Sequence, residues 1–295
     1  MVLSDKLLII NMDYADVDLK ERLHAHLKEI VRDRDPYLSS AGHFYVQQYI
    51  REQLQQWGTL ETYEFTVRGK THQNLILNLP STNQRKSAPI LIGAHYDGVP
   101  GCPAADDNGT GVAALLELAK EFAAEPLKYP VRLVAFDMEE YGLLGSQEYA
   151  RQLKAEGQKL RLMISLEMLG YCDNNPNSQR YPAGLEKFYP DRGNFIALIG
   201  NLTTIPDLIR LSRNIRKDGT PCEWLPVPNK GNMIQQTRLS DHAPFWDNGY
   251  NAMMITDTAF MRNPHYHQNS DRIETLNLDF LAGVCHGVEF ALRQL

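Results

Sequence analysis

The sequence predicts a single α/β domain: a mixed, mainly parallel β-sheet flanked by helices, with its functional site at the carboxyl ends of the strands. Two observations predict the sheet. Residues 89–94 (PILIGA), 130–136 (PVRLVAF) and 161–168 (RLMISLEM) are short continuous apolar runs, as strands buried on both faces require. Segments with helical periodicity lie between them, and such strand–helix alternation builds a parallel sheet. A third observation predicts where the site sits. The three runs end at His95-Tyr96-Asp97, at Glu139-Glu140 and at Glu167. Open α/β sheets bind ligands outside the carboxyl ends of their strands.

Each element has its own signal. Residues 16–34 place Leu19, Leu23, Leu27, Ile30 and Val31 on one helical face, and 40–57 form a second amphipathic helix stopped by Gly58. His24, His26 and His43 have no partner spacing in these helices and read as surface or cap residues. Residues 60–67 and 73–79 alternate like strands. A Gly-rich loop, 98–109, leads into the helix TGVAALLELAKEFA, and 145–156 form another helix. Further strands are expected at 194–199 and 252–256. Residues 171–193 and 217–234, rich in Asn, Pro, Gly and aromatics, read as long loops, which are usually functional or mobile. With no internal repeat and no linker, one domain over 1–295 is expected, with 1–58 packed on it as a helical segment.

Composition narrows the function. A chain of 295 residues that is 43% hydrophobic and 9% aromatic can bury a sizeable core. The net charge of -6 and the absence of a basic patch exclude tracking of a phosphate backbone, so no nucleic-acid partner is expected. Cys102, Cys172, Cys222 and Cys285 lack CxxC spacing, which fits isolated thiols in a reducing compartment rather than a disulfide scaffold or zinc finger. The N-terminal apolar run has only four residues before Asn11, too short for a secretory signal, and no run approaches the roughly 20 residues of a membrane span. A cytoplasmic location is therefore expected, or a secreted one if a precursor has been trimmed. The sequons at Asn108 and Asn201 are chance matches without secretion.

The chemistry converges on one sheet edge. Asp106-Asp107-Asn108-Gly109 follows His95, and 263-NPHYHQNSDRIETL-276 adds His265 and His267. Acids gathered at one edge repel one another unless a cation neutralises them. Glu139 and Glu140 are adjacent, so their side chains point in different directions and cannot easily share one surface role.

The stretches HYDGVPGCPAADDNGTG, FDMEEYGLLGS, SLEMLGY, SDHAPFWDNGYNA and NPHYHQNSD resemble, in the same chain order, the co-catalytic zinc aminopeptidases of the M28 peptidase family. The resemblance covers residues 73–290 and implies the roles that follow. His95, Asp107 and Glu167 hold one zinc, Glu140 and His267 hold the other, and Asp107 bridges the two. Many relatives have Asp where this chain has Glu167; zinc accepts either carboxylate. Glu139 is the general base towards a water between the ions, Asp97 orients His95 through its second ring nitrogen, and Tyr266 stabilises the oxyanion. Two Zn²⁺ are the implied cofactors, with Co²⁺ or Mn²⁺ as substitutes. Peptides are the implied substrates, and no membrane partner is expected.

Asp106 reads as a turn or supporting residue, His242 as an orienting, helix-start or packing residue, and His265 as outer support or exposed. Trp224, Trp246 and the tyrosines of 171–189 are candidates for a side-chain pocket or simple packing. Three other activities are weighed against an aminopeptidase. A single-zinc glutaminyl cyclase would carry an insertion after the paired acids, where this chain runs straight through EEYGLLGS. A carboxypeptidase would need an arginine for the substrate carboxylate, with Arg213, Arg216, Arg238 and Arg262 available. A non-catalytic binding domain would be expected to lack ligands or the base.

Overall fold

A computed structural model describes residues 19–83 and 87–295. Among the described residues, eight strands form one sheet: β1 (Leu60–Val67), β2 (Lys70–Leu79), β3 (Ile90–His95), β4 (Val131–Phe136), β5 (Leu162–Glu167), β6 (Ile196–Asn201), β7 (Cys222–Val227) and β8 (Ala252–Thr256), in the order β1-β2-β4-β3-β5-β8-β6-β7. The central strands β4, β3, β5 and β8 run parallel, whereas β1 and β2 pair antiparallel at one edge and β6 lies antiparallel to β8 near the other. Parallel neighbours place their carboxyl ends together: His95 pairs with Phe136, and Glu167 with Thr256.

Period-2 alternation sorts the strand side chains onto two faces. Leu75, Leu77, Ile90, Ile92, Leu133 and Ile164 pack beneath the helix covering 19–30 (α1) and beneath α2 (Ser40–Gln55), α3 (Gly111–Ala124), α5 (Ile205–Asp218) and α7 (Leu278–Arg293). Their neighbours Ile76, Leu91, Val134 and Met163 face α4 (Leu144–Ala155) and α6 (His242–Asp247). The result is a three-layer sandwich.

The structure departs from expectation in four places. The first helix ends at residue 30, not 34, because Arg34 and Asp35 turn inward; residues 16–18 of the expected helix, and the N-terminal segment read for a signal, lie outside the described residues. Residues 217–234 are not one loop, since they contain β7. Among the described residues this strand pairs only with β6, and Pro226, tolerable at a sheet edge, hides its pattern. The amphipathic helices α5 and α7 were not assigned from sequence; α5 stops at Gly219 in the left-handed conformation. Last, His26 and His43 are not surface residues. His26 contacts the Tyr49 hydroxyl at 2.7 Å and Glu117 at 3.1 Å, and buried His43 contacts Asp137 at 2.8 Å.

Candidate metal centre

Three strand ends and two loops deliver the polar side chains. His95 closes β3, Glu167 closes β5, and Glu139 and Glu140 follow β4. Asp107 sits in the kinked turn Ala105–Thr110 ahead of α3, its own backbone non-helical (φ -101°, ψ 90°), and His267 in the loop before α7. Around these residues the backbone takes conformations that non-glycine residues rarely adopt. Ala104, Met138, Met168 and His267 have φ of 57°, 61°, 47° and 56°. Such residues persist where the surroundings over-determine them, which is common at functional sites.

The surroundings here are hydrogen bonds. Asp271 accepts the backbone N–H of Asp106 and Asp107 at 2.9 and 3.1 Å. The Asn108 side chain donates to Leu166 O at 2.8 Å and accepts from the Met168 N–H at 3.0 Å, tying the turn to the end of β5.

Asp107 stands between two ligand sets. Its Oδ1 is 3.3 Å from His95 Nε2, which also faces Glu167 Oε1 at 3.6 Å. Its Oδ2 is 3.0 Å from His267 Nε2, which also faces Glu140 Oε2 at 3.2 Å. Glu139 Oε2 lies 4.0 Å from His95 Nε2, at the border of the first set. Among the described residues, the donor atoms of His95, Asp107 and Glu140 gather within 4.8 Å of one another, and so do those of His95, Glu139 and Glu167.

The donor set fits zinc, which takes imidazole nitrogen and carboxylate oxygen. Glu140 Oε1 is buried without a hydrogen-bond partner, as expected of an atom reserved for an ion. His95, Asp107, Glu139, Glu140 and Glu167 supply donor atoms close enough to hold a metal ion, and His267 Nε2 stands beside them, 3.0 Å from Asp107.

Electrostatics in the chain alone point the same way. Burial, joined by repulsion from Glu167 and Glu140, outweighs the attraction of His95 and holds the Glu139 carboxyl well above its ordinary range. Burial and Asp107 push Glu140 up to about 7 against the pull of His267, and burial raises Glu167. Burial pulls His95 down, but Glu139, Glu167 and Asp107 overcome it and hold the imidazole well above its usual value. For His267 the contacts with Asp107 and Glu140 likewise overcome burial and raise it to about 10. Asp107 is buried too, yet His267 and His95 hold it below the usual carboxylate range. Without a cation, retained protons neutralise the cluster; a divalent ion can replace them.

The remaining candidates fall into place individually. Asp97 Oδ1 is 3.4 Å from His95 Nδ1, close enough to help raise the imidazole but short of full hydrogen-bond geometry. Its carboxylate instead accepts the backbone N–H of Glu139 at 3.0 Å and of Glu140 at 3.2 Å. Tyr266 stacks on the His267 ring at 3.8 Å, and burial with nearby Asp107 and Glu140 raises its phenol, which stays protonated. Asp106 is buried, accepting from Gly170 N–H and the Asn263 amide. His242 packs on Trp246 and contacts Thr237 O, and His265 contacts Ser270 and the Tyr171 ring; the structure shows neither bonded to a ligand residue.

Sequence reasoning missed several supports. Ser240 donates to Glu167 Oε2 at 2.7 Å, and its place in SDHAPF was the available signal. Asp271 ends the NPHYHQNSD stretch, but its bonds to the Asp106 and Asp107 backbone join residues more than 160 positions apart and leave no local signal. Arg34 had no local signal.

Beside the centre lies an apolar pocket. Glu167 and Tyr266 stand on its wall with Tyr181, Tyr189, Phe195, Trp224 and Met254. Trp224 and two tyrosines of 171–189 thus face a cavity, whereas Trp246 is buried elsewhere, donating to Ala252 O. None of the described residues lining the pocket is an arginine.

Comparison with known proteins gives a consistent picture. The profile of Peptidase family M28 matches residues 74–288. YfbL of Escherichia coli K12, described as an uncharacterized protein, is 35% identical over 255 residues, covering 82% of this chain and 77% of YfbL. The zinc aminopeptidase BSAP from Bacillus subtilis is 26% identical with a TM-score of 0.58, over 77% of this chain and 51% of BSAP. The chain thus spans about half the length of that enzyme. LapA aminopeptidase of Legionella pneumophila shares the fold, with a TM-score of 0.71 at 19% identity over 96% of this chain and 75% of LapA. A glutaminyl cyclase of Bacteroides thetaiotaomicron shares it too, at 0.68 and 17% over 94% and 98%.

Proposed function

Because the chain belongs to peptidase family M28 and is a metallopeptidase, we propose that it is an aminopeptidase releasing N-terminal residues of peptides, in which His95 and Glu167, His267 and Glu140, and Asp107 between the two pairs would hold two zinc ions. One observation carries this reading: the two oxygens of Asp107 face separate histidine–carboxylate pairs, His95–Glu167 and His267–Glu140. Zinc bound there would supply Lewis acidity, polarising the scissile carbonyl and bringing the pKa of the attacking water down to about 7.

The chain's own residues do the rest. Glu139, at the border of the His95–Glu167 set, takes the proton of the attacking water and delivers it to the leaving amine. Asp97 fixes the backbone from which Glu139 and Glu140 diverge. The Tyr266 hydroxyl, held protonated, donates to the developing oxyanion. The acid-rich centre suits a substrate's free α-ammonium group.

The alternatives find less support. A single-zinc cyclase would leave one of the two histidine–carboxylate pairs beside Asp107 without a purpose. For a carboxypeptidase, no arginine lines the pocket among the described residues. Arg216 and Arg238 pair with Glu223 and Asp247, and Arg262 is buried against Phe195.

The test is a panel of aminoacyl chromogenic amides assayed with and without chelator. Chelator-sensitive release from free N-termini, and none from N-acetylated controls, is the expected result. Release of C-terminal residues instead would overturn the reading.

A further inference from the structure

Three consecutive residues ahead of the family-matched stretch reach both halves of the centre. Arg34 is 0% exposed. Its guanidinium makes five contacts, all to backbone carbonyls: Nε to Tyr96 O at 2.8 Å, Nη1 to Pro103 O at 2.9 Å and Arg32 O at 3.4 Å, and Nη2 to Ala104 O at 2.9 Å and Asp107 O at 3.4 Å. Four of these carbonyls belong to the loop that runs from His95 to Asp107. A buried guanidinium is costly unless its fork is filled, so this loop must present its carbonyls where the planar fork requires them.

Asp33 adds a bond from Gly101 N–H at 3.0 Å in the same loop. Asp35 reaches the other half: its Oδ2 accepts the hydroxyl of Tyr141, the residue after Glu140, at 2.6 Å. Its Oδ1 accepts the Tyr37 and Leu38 N–H groups, which holds the segment itself in a turn. The Tyr37 ring packs edge-on against Tyr141 at 5.1 Å.

We propose that residues 33–35 form a clasp setting the distance between the two metal-bearing loops, with Arg34 and Asp35 as positioning residues for the ion pair. Arg34 fixes the His95–Asp107 loop, Asp35 fixes the Glu139–Glu140 loop through Tyr141, and adjacency in the chain couples the two. The centre is thus completed by a segment that the family match does not include. Lysine cannot replace Arg34, since its ammonium cannot reach carbonyls spread along a loop.

The proposal rests on the two-zinc reading, and the experiment separates the two. Zinc affinity is measured by competition with a chromophoric chelator for the unaltered chain, Arg34→Met and Tyr141→Phe, together with kcat and KM on an aminoacyl amide. Loss of outer support costs about 10- to 100-fold in metal affinity. Arg34→Met is expected to show a loss of that size, and Tyr141→Phe a smaller one, with kcat falling and KM nearly unchanged. A general loss of folding stability would leave the zinc affinity of the folded fraction unmoved. If Arg34→Met does not fold, Tyr141→Phe decides alone. A folded variant that binds zinc as tightly as the unaltered chain, with equal kcat, overturns the clasp. An unaltered chain that binds no zinc overturns the two-zinc reading, and the clasp with it.

Discussion

The paired acids after β4 carry most of the functional meaning at the scale of single residues. Glu140 faces His267 across 3.2 Å, while Glu139 borders His95. Adjacent side chains diverge, so one position can serve a ligand set and the next a proton. Glu139→Gln is therefore expected to abolish turnover while zinc content, read by mass spectrometry, stays at the unaltered level. Retention of more than a few per cent of activity would remove Glu139 from the base role. Asp107→Ala removes the carboxylate common to both sets and is expected to lose bound zinc together with activity. These side chains were legible because each ends a continuous apolar run or lies within a short polar motif. The partners of Asp97 were not. Its carboxylate meets N–H groups 42 and 43 residues further along the chain, and only the β3–β4 pairing brings them together. Arg34 was silent for the same reason: its meaning lies in carbonyls 62 to 73 residues away.

At the scale of elements, the centre depends on how strand ends meet helix starts. Gly145, in the first turn of α4, lies against the end of β4. A Cβ there would fall 2.2 Å from Asp137 O and 2.5 Å from Asn74 Oδ1. The first of these is backbone and cannot rotate away, so Gly145→Ala must displace the segment that carries Glu139 and Glu140. Overpacking of this kind costs about 1–3 kcal/mol. The expected result is a lower denaturant midpoint together with a reduced kcat; a fully active variant of unchanged stability would show that this junction does not position the acids. The interior strands were readable because a parallel strand covered on both faces must be apolar throughout. β7 was not, being an edge strand whose residues are mostly half-buried and whose Pro226 breaks the pattern. The buried contacts of His43 and His72 with Asp137 were equally hidden, because α2, β2 and the position just after β4 contribute one residue each.

For the molecule as a whole, the acid cluster links stability to pH and to metal. In the metal-free chain Glu140 is raised from 4.5 to about 7 and His267 from 6.5 to about 10. Both groups hold protons in the folded state that the unfolded chain releases. Their contribution is full at low pH and is lost as pH rises, from about 4.5 to 7 for Glu140 and from about 6.5 to 10 for His267. Zinc competes with the same protons, so its binding strengthens over that window and stabilises the folded state by mass action. Melting curves should show the chelated protein losing Tm between roughly pH 5.5 and 8.5, and the gap to the zinc-loaded protein widening. A gap that is constant with pH would mean that ligation displaces no protons here. The measurement that bears most directly on the two-zinc reading is native mass spectrometry of the chain at saturating zinc. Two ions per chain are predicted, falling together in Asp107→Ala; one ion at saturation would contradict a carboxylate shared between two metals.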